Sequence, residues 1–154
     1  EFFTTYRNTY RTQIDVVLRS GYSVLNACDE VVAELAELSD GEVIFFAADP
    51  ACPAMAAHLA EGQRGVFVRD GRITLASGRD EIRVCRLGDV PVIGKQKDPA
   101  TIANVLAAVA AGWALGLTQE VIGTGVKTFG LELPDPAALL PQRAGKSPAA
   151  TARN

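Results

Sequence analysis

Asn104 is the one polar side chain in the uncharged run 102–117, IANVLAAVAAGWALGL. An amide carries one acceptor and two donors, a pattern that matches the edge of an adenine. Buried without a partner it costs on the order of 1–3 kcal/mol, so the position calls for a neighbouring loop carbonyl, open solvent or a ligand. A second pair, Asn26 and Asp29, lies in VLNACDE at the end of a predicted parallel strand. Ligands of open α/β sheets gather at such carboxyl ends. Asp29 equally suits the N-cap of a helix that starts at Glu30.

Other motifs carry less. The stretch AGKS, 144–147, resembles the end of a phosphate-binding loop, but Leu140 stands at the first glycine position and Pro148 follows the serine. No buried strand precedes it, and the loop needs a strand-to-helix frame to aim its amides. His58, the single histidine, shares a predicted helix with nearby Cys52 and has no evident acid to orient it. Cys28, Cys52 and Cys85 are widely spaced without a C-x-x-C pair, which suggests neither a disulfide framework nor a tetrahedral metal site.

The elements that must position these residues follow from periodicity. The first twelve residues read as a short helix, and DVVL and GYSVLNA as short strands. In DEVVAELAEL, Val31, Val32, Leu35 and Leu38 fall at helical spacing, with Gly41 as a stop. EVIFFAA is apolar on both alternating faces, as a strand covered on each side must be. A helix in CPAMAAHLAEG precedes GVFVRDGRITLAS and DEIRVCRL, with hairpin turns at Asp70-Gly71 and at 78–80. The result is an α/β fold, a mostly parallel β-α-β-α-β core with helices that passes into a small antiparallel meander.

Asp98 and Pro99 suit the start of the following helix, which places Asn104 too deep to be a cap. At about 100° per residue, Ile102, Val105, Leu106, Val109, Trp113 and Leu117 form one bulky stripe. Asn104 falls on the opposite face with Ala100, Ala107, Ala108 and Ala111, and Leu115 at its far end. Gly116 ends the helix, and Thr118 caps the next one, flanked by Leu117 and Ile122 as a hydrophobic staple. Residues 1–129 therefore read as one domain and 130–154, rich in Pro and Ala, as a flexible tail.

With 154 residues the chain fits a single domain, and 48% apolar and 21% charged residues are ordinary for a globular protein. A net charge of −3 argues against nucleic acid as partner. The apolar run 102–117 is shorter than the ~18 to 20 residues of a membrane span, and no signal-peptide layout is visible, so a cytoplasmic location is expected.

Four segments, RTQIDVVLRSGYSVLNACDE, LAELSDGEVIFFAADP, HLAEGQRGVFVRDGRITLA and ANVLAAVAAGWALGLTQEVIGTGVKTF, together resemble the Mur ligase family, specifically the Mur-ligase-like half of cyanophycin synthetase, over about residues 10–129. The resemblance implies part of a Mur central domain. In that family ATP and magnesium activate a carboxylate as an acyl phosphate, and an amine, in cyanophycin synthetase arginine, displaces phosphate on a polyaspartate backbone. Asn104 matches the asparagine that contacts adenine, and Asn26 and Asp29 match an N-A-D-D motif, with Cys28 in place of its first Asp. The stretch GKQKDPATIANVL departs from the usual one before the asparagine, and the pattern is lost after LELPDP.

The family's glycine-rich phosphate loop, magnesium ligands and D-Y-A-H-N segment are missing from these residues. The implied function is a fragment of an ATP-dependent amide ligase that holds the adenine side of the ATP site, inactive in isolation and completed by the rest of the ligase. The alternative is a free-standing, non-catalytic association module, a homodimer formed through an exposed sheet edge. A small-molecule enzyme built on Cys52 or His58 is disfavoured for want of an oriented constellation.

Overall fold

A computed structural model describes residues 2–94 and 98–131. Helix α1 (Phe2–Asp15) leads to strand β1 (Tyr22–Asn26), helix α2 (Glu30–Glu34), strand β2 (Glu42–Ala47), helix α3 (Pro53–Ala60) and strands β3 (Arg64–Arg69), β4 (Arg72–Ser77) and β5 (Asp80–Arg86). Helices α4 (Pro99–Ala114) and α5 (Gln119–Thr128) complete the described chain. The five strands form one sheet in sequence order, parallel through β1, β2 and β3 and antiparallel from β3 to β5. This is the expected α/β architecture, a β-α-β-α-β unit running into a meander. The expected tail lies, beyond Leu131, outside the described residues, as does the AGKS stretch.

Both faces of the sheet are covered, which explains why β2 is apolar throughout. Ile44 is fully buried in the core under α4 and α5, with Val66, Ile73, Leu75, Leu106, Val109 and Ile122. Phe45 and Ala47 point the other way, into a second core with Leu25, Phe67, Leu35, Met55 and Ile14 under α1, α2 and α3. The β3–β4 hairpin turns on Asp70 and Gly71, both with positive φ (50° and 68°), the conformation that a two-residue type I′ turn demands.

Three local expectations are corrected. The first helix continues to Asp15, and the run 15–18 forms no strand; Val16 and Leu18 are 69% and 74% exposed. A β-branched run becomes a strand only where it pairs with a neighbouring strand, and residues 15–18 pair with none among the described residues. The segment after Asp29 is α-helical for five residues and then tightens into a 3₁₀ turn (Leu35–Leu38), so that of the predicted stripe Leu35 alone is fully buried. Leu117 lies past the end of α4 and is exposed, whereas the rest of its predicted stripe is buried or half-buried.

Gly41 shows how closely the start of β2 is packed. A Cβ there would lie 2.5 Å from the Gly21 carbonyl oxygen and 2.8 Å from that of Leu18. Among the described residues no helix is long and apolar enough to cross a membrane.

Candidate functional site

The carboxyl edge of the parallel strands is built by short polar side chains that satisfy backbone donors. Asn26 ends β1, and its Oδ1 accepts the Cys28 N–H at 3.0 Å. Asp29 is the N-cap of α2, with Oδ1 accepting the Val32 N–H at 3.1 Å. Asp49 repeats the device after β2, accepting the Ala51 N–H at 2.8 Å. Each fixes a tight turn where a strand gives way to a helix, the role short acceptors play at such positions. The cap reading of Asp29 is thus present in the structure. Among the described residues, no hydrogen bond is made by Asn26 Nδ2 or Asp29 Oδ2.

Helix α4 packs on one face of this sheet. Asp98 Oδ2 accepts both the backbone N–H and the hydroxyl of Thr101, each at 2.8 Å, and these bonds hold its carboxyl below the ordinary value. Val105, Leu106, Val109 and Ala110 are buried against the sheet, while Asn104, Ala108, Ala111 and Leu115 are exposed. Asn104 therefore lies on the small-residue face that periodicity predicts. Its amide makes no hydrogen bond among the described residues, so of the three outcomes open to it, an internal carbonyl partner is not found there.

The direction of α4 locates Asn104 along the strands. The Arg64 guanidinium, at the start of β3, lies 4.8 Å from the Trp113 ring centroid and 5.2 Å from that of Tyr22 at the start of β1, and is paired with Glu42 at the start of β2. The end of α4 is thereby tied to the amino edge of the parallel strands. Asn104, nine residues earlier, lies about 13 Å back along the axis of α4, away from that edge. No hydrogen bond joins Asn104 to Asn26 or Asp29 among the described residues.

A groove of about 470 Å³ opens on the other face, lined among others by Ala27, Glu30, Phe45, Pro53, His58 and Glu61. Its carboxylates would repel nucleotide phosphates. The signal that sequence reasoning passed over is the set of small residues, Ala33, Ala36, Ala54 and Ala57, that leaves room between α2 and α3.

His58 borders this groove as a structural clip. Its Nε2 lies 3.2 Å from the Val43 carbonyl oxygen and 3.1 Å from that of Arg64, so the nitrogen carries the proton and donates to both. Phe45 meets the imidazole edge-on at 4.6 Å. Burial lowers the His58 pKa, opposed in part by the two carbonyls and by Glu61 and Glu42.

Cys28 and Cys52, 24 positions apart in sequence, are neighbours at the carboxyl edge, which their spacing does not reveal. Burial, the Cys52 thiol and the Asp49 charge push the Cys28 thiol up to about 11 against the opposing Asp49 carbonyl. No group of three or more His, Cys, Asp or Glu side chains that could hold a metal ion occurs among the described residues. Among the described residues, no set of oxygen donors fits magnesium.

No protein-family model matches the chain. Among curated proteins it is similar to the cyanophycin synthetase of Synechocystis sp., 35% identical over 115 residues that make up 75% of this chain and 13% of that protein. The cyanophycin synthetase of Geminocystis herdmanii is 32% identical over 109 residues, 71% of this chain and 12% of that protein. That of Crocosphaera subtropica is 34% identical over 115 residues, 75% of this chain and 13% of that protein. The matched stretch thus spans about an eighth of the length of these curated relatives.

Proposed function

The chain is related in sequence to a segment of cyanophycin synthetase, and on that relation we propose that it supplies the adenine-facing side of the ATP site in a ligase of the same kind. Such a ligase forms an amide bond at the expense of ATP, on an amino-acid polymer in the case of a polyaspartate backbone. The observation that carries the proposal is the exposed amide of Asn104, without a hydrogen bond among the described residues, beside the small side chains of Ala108 and Ala111 on α4.

Its acceptor and donors complement the edge of adenine, and Ala108 and Ala111 let a flat ring approach the helix. Asn26 and Asp29 shape the strand-end loops through one side-chain atom each and keep Nδ2 and Oδ2 for ligand. The phosphate and magnesium functions are assigned to other parts of the ligase.

The expected affinity is small. An amide–adenine pair contributes about 1–3 kcal/mol. Covering about 60 Å² of apolar surface adds about 1.5 kcal/mol. Together they come to about 2.5–4.5 kcal/mol, which corresponds to dissociation constants from about 15 mM to below 1 mM. Calorimetric titration of the 154-residue chain with adenosine and with ATP, each with and without magnesium, tests this. Weak binding that is equal for both ligands and indifferent to magnesium is the expected result. Micromolar, magnesium-dependent ATP binding would place the phosphate side in this chain and overturn the proposal, as would the absence of any adenosine binding at millimolar concentration.

A second reading, a non-catalytic module that associates with a second copy, is favoured by one observation. The outer edge of β1 pairs with no strand among the described residues. An unpaired edge is a template for another strand. A concentration-dependent dimer in sedimentation velocity, with no adenosine binding, would favour it over the ligase reading.

A further inference from the structure

Two of the three cysteines meet where the loops after β1 and β2 run side by side. β1 and β2 are adjacent parallel strands with Asn26 level with Phe46, so the residues that follow them emerge together. The Cys28 thiol donates to the Asp49 carbonyl oxygen at 3.9 Å, and the Cys52 N–H donates to the same oxygen at 3.5 Å. Both cysteines thus meet at one carbonyl oxygen, and the Cys52 thiol is near enough to raise the pKa of Cys28. All three cysteines are free; Cys28 is exposed, Cys52 half-buried, and Cys85 buried in the core under α4 and α5. With no third ligand grouped with them among the described residues, the pair does not complete a tetrahedral metal site there.

We propose that Cys28 and Cys52 form a reversible intramolecular disulfide, with a low-molecular-weight disulfide such as oxidised glutathione as the oxidant. The Cys28 thiolate attacks one sulfur of the glutathione disulfide, forms a mixed disulfide and releases one glutathione thiolate. The Cys52 thiolate then attacks the Cys28 sulfur, forms the internal bond and expels the second glutathione. The protein is oxidised by two electrons, the two protons lost by its thiols pass to the two glutathione thiols, and an excess of reduced glutathione reverses the sequence. Closing the chain between residues 28 and 52 restricts the unfolded state, so the oxidised form is the more thermostable. Its bond also pins the turn made by Asn26 to the loop made by Asp49, which makes the carboxyl edge of the sheet the segment that responds to oxidation.

The high pKa of the Cys28 thiol slows the first exchange near neutrality, so the test is run at pH 8.5. The reduced 154-residue chain is incubated with excess glutathione disulfide without denaturant, and its thiols and intact mass are then measured. The expected outcome is a fall from three free thiols to one, Cys85, with a mass loss of about 2 Da, and full recovery on reduction. Cleavage after glutamate separates Cys28 from Cys52, and the linked peptides identify the bond. Cys28→Ser or Cys52→Ser abolishes the internal bond and leaves the partner cysteine carrying a glutathione adduct of about 305 Da. Thermal denaturation reads a higher midpoint for the oxidised wild type and none for the oxidised variants. Three remaining thiols, adducts on both cysteines without a link between them, or a bond between two chains would each overturn the proposal.

Discussion

Replacing Asn104 with alanine separates an amide that serves the fold from one that faces a ligand. The side chain is exposed and makes no hydrogen bond among the described residues, so its removal opens no cavity and strands no buried group. What remains is helix propensity: in the middle of α4 alanine is favoured over asparagine by about 0.5 kcal/mol. For a protein of this size that is a rise of about 1–2 °C in the unfolding midpoint. Leu106→Ala is the matched control on the same helix. Leu106 is 0% exposed, and its truncation is expected to cost about 3 kcal/mol. Urea unfolding followed by circular dichroism reads both variants against wild type. Destabilisation of Asn104→Ala by about 1 kcal/mol or more would refute the reasoning, because only an internal hydrogen bond loses that much.

Asp29→Ala removes the acceptor of the Val32 N–H and is expected to cost about 1 kcal/mol, whereas Asp29→Ser, which keeps a capping oxygen, recovers most of it; chemical denaturation reads both. His58 is held neutral, with a pKa lowered from 6.5 by burial, so its contribution to stability is complete above that value and is lost as pH falls below it. The difference in unfolding free energy between wild type and His58→Leu should therefore shrink between pH 7.5 and pH 5. Gly41→Ala forces a methyl group against the backbone carbonyls of Gly21 and Leu18 and is expected to lower stability by about 2 kcal/mol, measured as a lower unfolding midpoint.

Much of this fold can be read from local chemistry. β2 is apolar on both faces because helices cover both, Asp70-Gly71 turns as its residue types require, and Asp98 and Thr118 cap the helices that follow them. The outward face of Asn104 follows from angle alone, since α4 is long and regular. The misreadings have a shared cause. Val16 has the residue type of a strand but pairs with none among the described residues, and α2 is cut short by a turn that depends on how Leu35 enters the core under the sheet.

The candidate site divides in the same way. Asp29 as a cap is visible in sequence because a cap and its helix are contiguous. The contact of Cys28 with Cys52, and the carbonyl clip made by His58 between β2 and β3, exist only once parallel strands bring distant loops and backbones together. Residue spacing along the chain carries no trace of them.

The most direct test of the central claim is the side-chain amide resonance of Asn104 in a ¹⁵N–¹H spectrum during titration with adenosine, in a chain that has only four asparagines to assign. The account predicts a saturable shift of the Asn104 amide at millimolar adenosine, with Asn8 unmoved and the effect lost in Asn104→Ala. An Asn104 amide that stays in place while adenosine saturates other resonances, or that stays in place because nothing binds, would contradict it.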